Sequence, residues 1–233
     1  MTAMKTAITC SLLTIFRSRS TCILVALALG AFALAQAGRA VSPPPDGGYP
    51  GGDSAEGQNA LLSITTGTNN TAVGLLSLSG LKDGKFNTTL GAGTLLFNVA
   101  DENTATGAGT LLSNTTGNLN TANGAFALFL NTEGTFNTAN GDRVLFSNTI
   151  GSNDTANGAS ALLNNTVGSD NTADGASALA NNVTGNSNAA TVANALFNNT
   201  TGSNNIALGF LAGDNLVAGN NRRWKPVLLP HQV

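Results

Sequence analysis

Glycine returns along this chain at a fixed interval of seventeen residues, and that interval limits the possible folds more than any other property. One column runs Gly57, Gly74, Gly91, Gly107, Gly124, Gly141, Gly158 and Gly175, then Val192, then Gly209, and only the step from Gly91 to Gly107 is sixteen. A second column follows ten residues after the first, from Gly67 and Gly84 through Gly117 to Gly219, with Asp101 in its place in the short repeat. Short fixed periods are the mark of stacked-coil architectures, in which one unit cannot bury its own faces and a copy above and below can. Two glycines in every seventeen residues oppose a helix. The Thr, Asn and Gly around short apolar runs suit strands and turns. We therefore expect an all-β fold, a β-solenoid (parallel β-roll or β-helix) of about ten seventeen-residue coils. Each coil has room for two strands of about five residues and two turns. At about 4.8 Å per coil the rod would be on the order of 48 Å long.

The columns between the glycines assign the interior. Four places after the first Gly stands Leu in nine of ten repeats: Leu61, Leu78, Leu95, Leu111, Leu128, Leu145, Leu162, Leu179 and Leu196. Stacked, they form a continuous apolar ladder. An alanine column from Ala72 through Ala105, Ala122 and Ala139 to Ala207 could face it across a thin core. One residue after the leucines come Leu62, Leu96, Leu112, Phe129, Phe146, Leu163 and Phe197. Neighbours on a strand point to opposite faces, so this second ladder is expected outside, unless a bend between the columns turns both inward. A stripe of that size exceeds what a soluble monomer ordinarily leaves in water. We therefore expect further copies of the chain to cover it.

Two asparagine columns recur, one from Asn98 and Asn114 to Asn199, the other from Asn70 and Asn87 to Asn205. Stacked amides can hydrogen-bond to their equivalents in the next coil, as in cross-β ladders, and we read them as structural. Several begin Asn-x-Thr sequences, such as Asn114-Thr115-Thr116, which we read as by-products of the turn chemistry rather than glycosylation sites.

Outside the repeats the chain changes character. Residues 1–37 read as a signal peptide: Lys5, Arg17 and Arg19 precede the uncharged run 21–37, which ends in the small-x-small site Ala35-Gln36-Ala37. An uncleaved membrane anchor is the other reading of that run. Residues 38–56 form a Pro/Gly-rich linker, 57–221 the repeat domain and 222–233 an irregular tail. Both cysteines, Cys10 and Cys22, lie in the signal segment, which leaves the exported chain no disulfide and no thiolate chemistry. Between Asp46 and Asp214 twelve acids face three bases, a net charge of −9, which argues against nucleic acid as a partner. The single histidine, His231, sits near the end of the chain, so the repeats hold no His-based triad. Clusters of His and Cys and the G-G-x-G-x-D calcium repeat are absent from the sequence, and we assign no catalytic, cofactor or metal residue. Asp101-Glu102, in the shortened coil, is the one acidic pair on which a glycosidase reading could rest; an exposed turn carrying a deletion is the reading we favour. Asp154, Asp170 and Asp174 replace or neighbour Asn positions and are expected in solvent.

The motif N-T-A-x-G-x-x-A-L-x-x-N-T-T-G, seen with small changes at 120–134 and 171–185, resembles the YadA-like head repeats of trimeric autotransporter adhesins. It also resembles seventeen-residue repeats of bacterial secreted proteins and of tail-fibre-like proteins. The likeness covers roughly residues 43–221. It implies a left-handed parallel β-roll, three chains side by side, and attachment to host or matrix surfaces. The chain departs from those heads in its longer coils. After Asn221 it continues as "RRWKPVLLPHQV" rather than as a coiled-coil stalk with a β-barrel anchor, or as a self-cleaving chaperone domain. That tail is expected to be either a cap on the open end of the solenoid or a truncated remnant.

The leading expectation is thus a non-enzymatic, secreted or cell-surface repeat protein, a homotrimer with an adhesin-head-like structural or binding role toward extracellular matrix, a host surface or a polysaccharide. An alternative is ice binding through the Thr71, Thr88, Thr104, Thr121, Thr138, Thr155 and Thr172 column and the Asn123, Asn140, Asn157 and Asp174 column beside it. A polysaccharide-acting enzyme resting on Asp101-Glu102 is the third reading.

Overall fold

The computed structural model describes residues 48–49 and 51–224. The signal segment, most of the linker, His231 and the tail beyond Trp224 lie outside the described residues. The described chain forms one twelve-stranded sheet in sequence order. Its strands are β1 (Gly48–Tyr49), β2 (Asp53–Glu56), β3 (Thr71–Val73), β4 (Thr88–Leu90), β5 (Thr104–Thr106), β6 (Thr121–Asn123), β7 (Thr138–Asn140), β8 (Thr155–Asn157), β9 (Thr172–Asp174), β10 (Ala189–Thr191), β11 (Ile206–Leu208) and β12 (Arg223–Trp224). β1 pairs antiparallel with β2 at one edge; every other pairing is parallel. The register is one coil throughout, for example Thr121↔Thr138, Ala122↔Ala139 and Asn123↔Asn140. The chain is therefore a β-solenoid, and its ladder runs from β2, inside the segment read as linker, to β12, just past the expected end of the repeats.

Each coil holds one strand of three residues, not two of five. The rest of the coil is a ribbon of turns, and its backbone explains why. In the coil that opens at Gly124, φ is positive at Gly124 (129°), Phe126 (57°), Leu128 (51°) and Phe136 (58°). The same four places recur in the other coils. Every second residue across the leucine run thus takes the left-handed conformation, which costs a non-glycine residue about 1–2 kcal/mol. Hydrogen bonding between coils offsets that cost. The alternation aims successive N–H groups up and down the rod: Phe126 donates back to the Ala108 carbonyl (3.0 Å), and Leu128 donates forward to that of Val144 (2.9 Å).

The same bend decides the core. All nine ladder leucines are buried, as are the strand-centre alanines from Ala72 to Ala207 and the residue before each leucine, such as Ala127, Val144 and Ala161. Each buried leucine contributes roughly 1.5–3 kcal/mol.

The glycine columns serve two purposes. At Gly124 the backbone needs the positive φ. At Gly134 the φ is ordinary, and a Cβ would instead fall on the carbonyl oxygen of Gly151 and on the side chains of Asn131 and Asn148. Both columns bring successive coils backbone to backbone, because a Cβ at Gly124 would also fall on the Gly141 carbonyl. In the short coil Ala100, not Asp101, takes the second-glycine place. Its carbonyl accepts Nδ2 of Asn87 (2.9 Å) and of Asn98 (2.8 Å), as Gly117 does for Asn103 and Asn114 (2.9 and 2.7 Å). The missing residue is absorbed in the turn before Ala100, so register is kept on both sides.

Candidate functional surface

The strand ladder builds one flat face. Its central alanines are buried and the residues on either side point outward, as in β6 with Thr121 and Asn123 exposed around Ala122. The outward columns are Thr71 to Thr172 on one side, and Val73, Leu90, Thr106, Asn123, Asn140, Asn157, Asp174, Thr191 and Leu208 on the other. Three adjacent rungs of the second column are tied together: Asn123 Nδ2 donates to Asn140 Oδ1 (2.9 Å), and Asn140 Nδ2 to Asn157 Oδ1 (2.8 Å). Those side chains are held in one orientation, so the middle of the face is a fixed polar array.

The predicted oligomer stripe lies beside the leucine core. Leu62 is 64 % exposed and Leu96 only 8 %, while Leu112, Phe129, Phe146, Leu163 and Phe197 are half-buried. Strand alternation does not govern this stripe, because its residues follow left-handed leucines in the turn ribbon. Much of its cover comes from stacking along the rod. The rings of Phe129 and Phe146 lie parallel with centroids 5.1 Å apart, and Phe126 meets Phe129 edge-on at 5.7 Å. Phe126 is itself 42 % exposed, which extends the apolar patch by one column that sequence spacing did not single out.

Inside, the two asparagine columns form amide ladders. In one, each Nδ2 donates to Oδ1 of the preceding coil, as Asn131 to Asn114 (2.7 Å) and Asn148 to Asn131 (2.8 Å). In the other, Oδ1 receives the backbone N–H of the next rung, as Asn103 Oδ1 does from Asn120 (3.0 Å), while Nδ2 reaches a glycine carbonyl. Asn114 is fully buried, so the amide that glycosylation would modify is inaccessible in the folded chain, although Thr115 and Thr116 are exposed.

Asp154 corrects the sequence reading. It was expected in solvent and is 0 % exposed, because it occupies a rung of the second ladder between Asn137 and Asn171. Burial raises its carboxyl from 3.8 to about 7. Asp53 begins the same ladder, also buried, and its Oδ1 accepts the backbone N–H and Nδ2 of Asn70 (2.7 and 2.9 Å). Asp170 and Asp174 are exposed, as expected.

The acidic pair of the short coil is exposed. Asp101 Oδ1 accepts the backbone N–H of Lys85 (2.7 Å), which makes it a cap on the turn of the preceding coil. Glu102 occupies a left-handed position (φ 58°). On another turn Asp83 accepts the hydroxyls of Thr66 (2.7 Å) and Thr65 (2.8 Å), and these bonds, Thr66 first, hold its carboxyl below the ordinary value. Near the C-terminal end of the ladder an open hollow of about 380 Å³ is lined by Gly213, Asp214, Asn215, Leu216 and Trp224. Among the described residues no three His, Cys, Asp or Glu side chains come together as metal ligands. Comparisons with protein-family models, with curated proteins and with solved structures found no match to this chain.

Proposed function

We propose that the chain is a non-enzymatic, exported repeat protein. In this reading it acts as a rigid rod with an adhesin-head-like role, self-associating as a homotrimer through the Leu/Phe stripe and presenting its other faces to a matrix, host or polysaccharide surface. The observation that carries the proposal is the one-coil register, which repeats each outward side chain along the rod. A repeating surface suits a repeating ligand, because weak contacts add without new chemistry. The solvent-facing edge of Phe126, Phe129 and Phe146 supports association through that side. Export rests on the basic segment, apolar run and small-x-small site of residues 1–37.

Light scattering on the purified protein tests the assembly. The expected mass is three chains, falling to one in Phe129→Ser/Phe146→Ser. A wild type that stays monomeric at tens of micromolar removes the trimer and the adhesin-head analogy with it. Binding to immobilised matrix proteins and polysaccharides then tests the ligand class.

One observation favours ice binding as a second reading. The Thr and Asn columns flank the buried alanines in unbroken parallel register from β6 to β8. Thermal hysteresis decides it: freezing behaviour no different from that of an inert protein at millimolar concentration ends the idea.

A further inference from the structure

The second amide ladder opens on Asp53 and continues through eight asparagines, with Asp154 at its seventh place. Each asparagine there has two duties. Its Oδ1 accepts from the next rung, and its Nδ2 donates to a carbonyl fourteen residues on, or thirteen where Asn87 meets the short coil. Asn137 Nδ2 donates to Gly151 O (2.9 Å) and Asn171 Nδ2 to Gly185 O (3.0 Å). Asp154 performs the first duty in the same way: its Oδ1 accepts the backbone N–H of Asn171 (2.8 Å) and Asn171 Nδ2 (3.1 Å). Its Oδ2 therefore takes the Nδ2 place, in register with the Gly168 carbonyl. An ionised carboxylate there has nothing to donate, and sets one acceptor against another in a site without water access. Asn165 Nδ2 reaches both oxygens, Asp154 Oδ2 at 3.1 Å and Gly168 O at 2.8 Å, as the amide at its place reaches the glycine carbonyl in other coils.

We propose that Asp154 is held in the folded stack as a neutral carboxylic acid standing in for the asparagine amide, its proton donated to the Gly168 carbonyl, so that the rod carries one pH-sensitive rung. The side chains packed on Asp154 from its own ladder and from the facing one are the amides of Asn137, Asn171 and Asn165. The titratable group that acts on it is Asp170, whose carboxylate also disfavours a second negative charge. The folded value of about 7 lies above the ordinary 3.8. The contribution to stability is therefore complete below about pH 4 and is lost as pH rises to and through 7.

The test compares the full chain with Asp154→Asn, which places at this rung the residue found at the neighbouring ones. Unfolding is followed by guanidinium titration from about pH 4.5 to 8.5. Relative to the variant, the wild-type unfolding constant is expected to rise about a hundred- to a thousandfold over that range. A ratio that stays flat overturns the proposal. Difference infrared spectra at about pH 5.5 should contain a neutral carboxylic acid band that Asp154→Asn removes, and its absence overturns the proposal independently. Asp170→Asn should move the inflection to lower pH while keeping it; an inflection that vanishes would assign the titration to Asp170 instead.

Discussion

Replacing Gly134 by alanine tests the backbone contact between coils. The new Cβ falls on the Gly151 carbonyl oxygen, on Asn131 Oδ1, and 2.7 Å from Asn148 Nδ2. Relief requires the coils to part. That stretches the bonds from Asn148 Nδ2 to Asn131 Oδ1 (2.8 Å) and to Gly151 O (2.9 Å). Overpacking costs about 1–3 kcal/mol, and two weakened hydrogen bonds add about 0.5–1.5 kcal/mol each. The lost freedom of the unfolded chain returns about 0.4–1 kcal/mol. The net expectation is a loss of about 2–5 kcal/mol. Gly93→Ala supplies the control. Its φ is +66° and the nearest atom to a Cβ is Leu112 Cδ1 at 3.8 Å, and other coils hold Leu76, Phe126 or Arg143 at that place in the same conformation. Gly93→Ala should therefore stay within about 1 kcal/mol of wild type. Circular dichroism melts and guanidinium titrations read both, with a lowered midpoint about 2–4 °C per kcal/mol. Stacked repeats can unfold piecewise, so the slope is read with the midpoint. If the two substitutions cost the same, the argument from coil contact is wrong.

Leu145→Ala, in the middle of the leucine ladder, should cost about 2–5 kcal/mol in the same titrations; less than 1 kcal/mol would mean the ladder is not the core. A double-mutant cycle of Phe129→Ala and Phe146→Ala should give a coupling of about 0.5–1.5 kcal/mol, and strict additivity would show that the rings do not stack in solution. Asp101→Ala should cost about 0.5–1.5 kcal/mol through the lost cap on the Lys85 N–H. A loss of polysaccharide turnover in this substitution would instead support the Asp101-Glu102 enzyme reading.

The sequence alone determined the solenoid, its period, its leucine and alanine interior and its asparagine ladders. Each of those columns is repeated many times, so a position's environment can be read from what it tolerates. Gly134 and Leu145 are legible in this way. Other features depended on the tertiary structure, because no local preference encodes them. Leucine has no leaning toward the left-handed conformation, yet Leu128 adopts it, because only that bend lets its N–H reach Val144 in the next coil and its side chain reach the core. The same bend removed the strand alternation on which the placement of Phe129 and Phe146 had rested. The deletion in the short coil was misplaced onto Asp101, since only the hydrogen bonds accepted by Ala100 reveal which residue stands in the glycine's place. Asp154 is a single substitution that looks conservative and solvent-loving in the sequence. Its burial follows from the rungs above and below it, and so does the proton that an amide's place in the ladder requires.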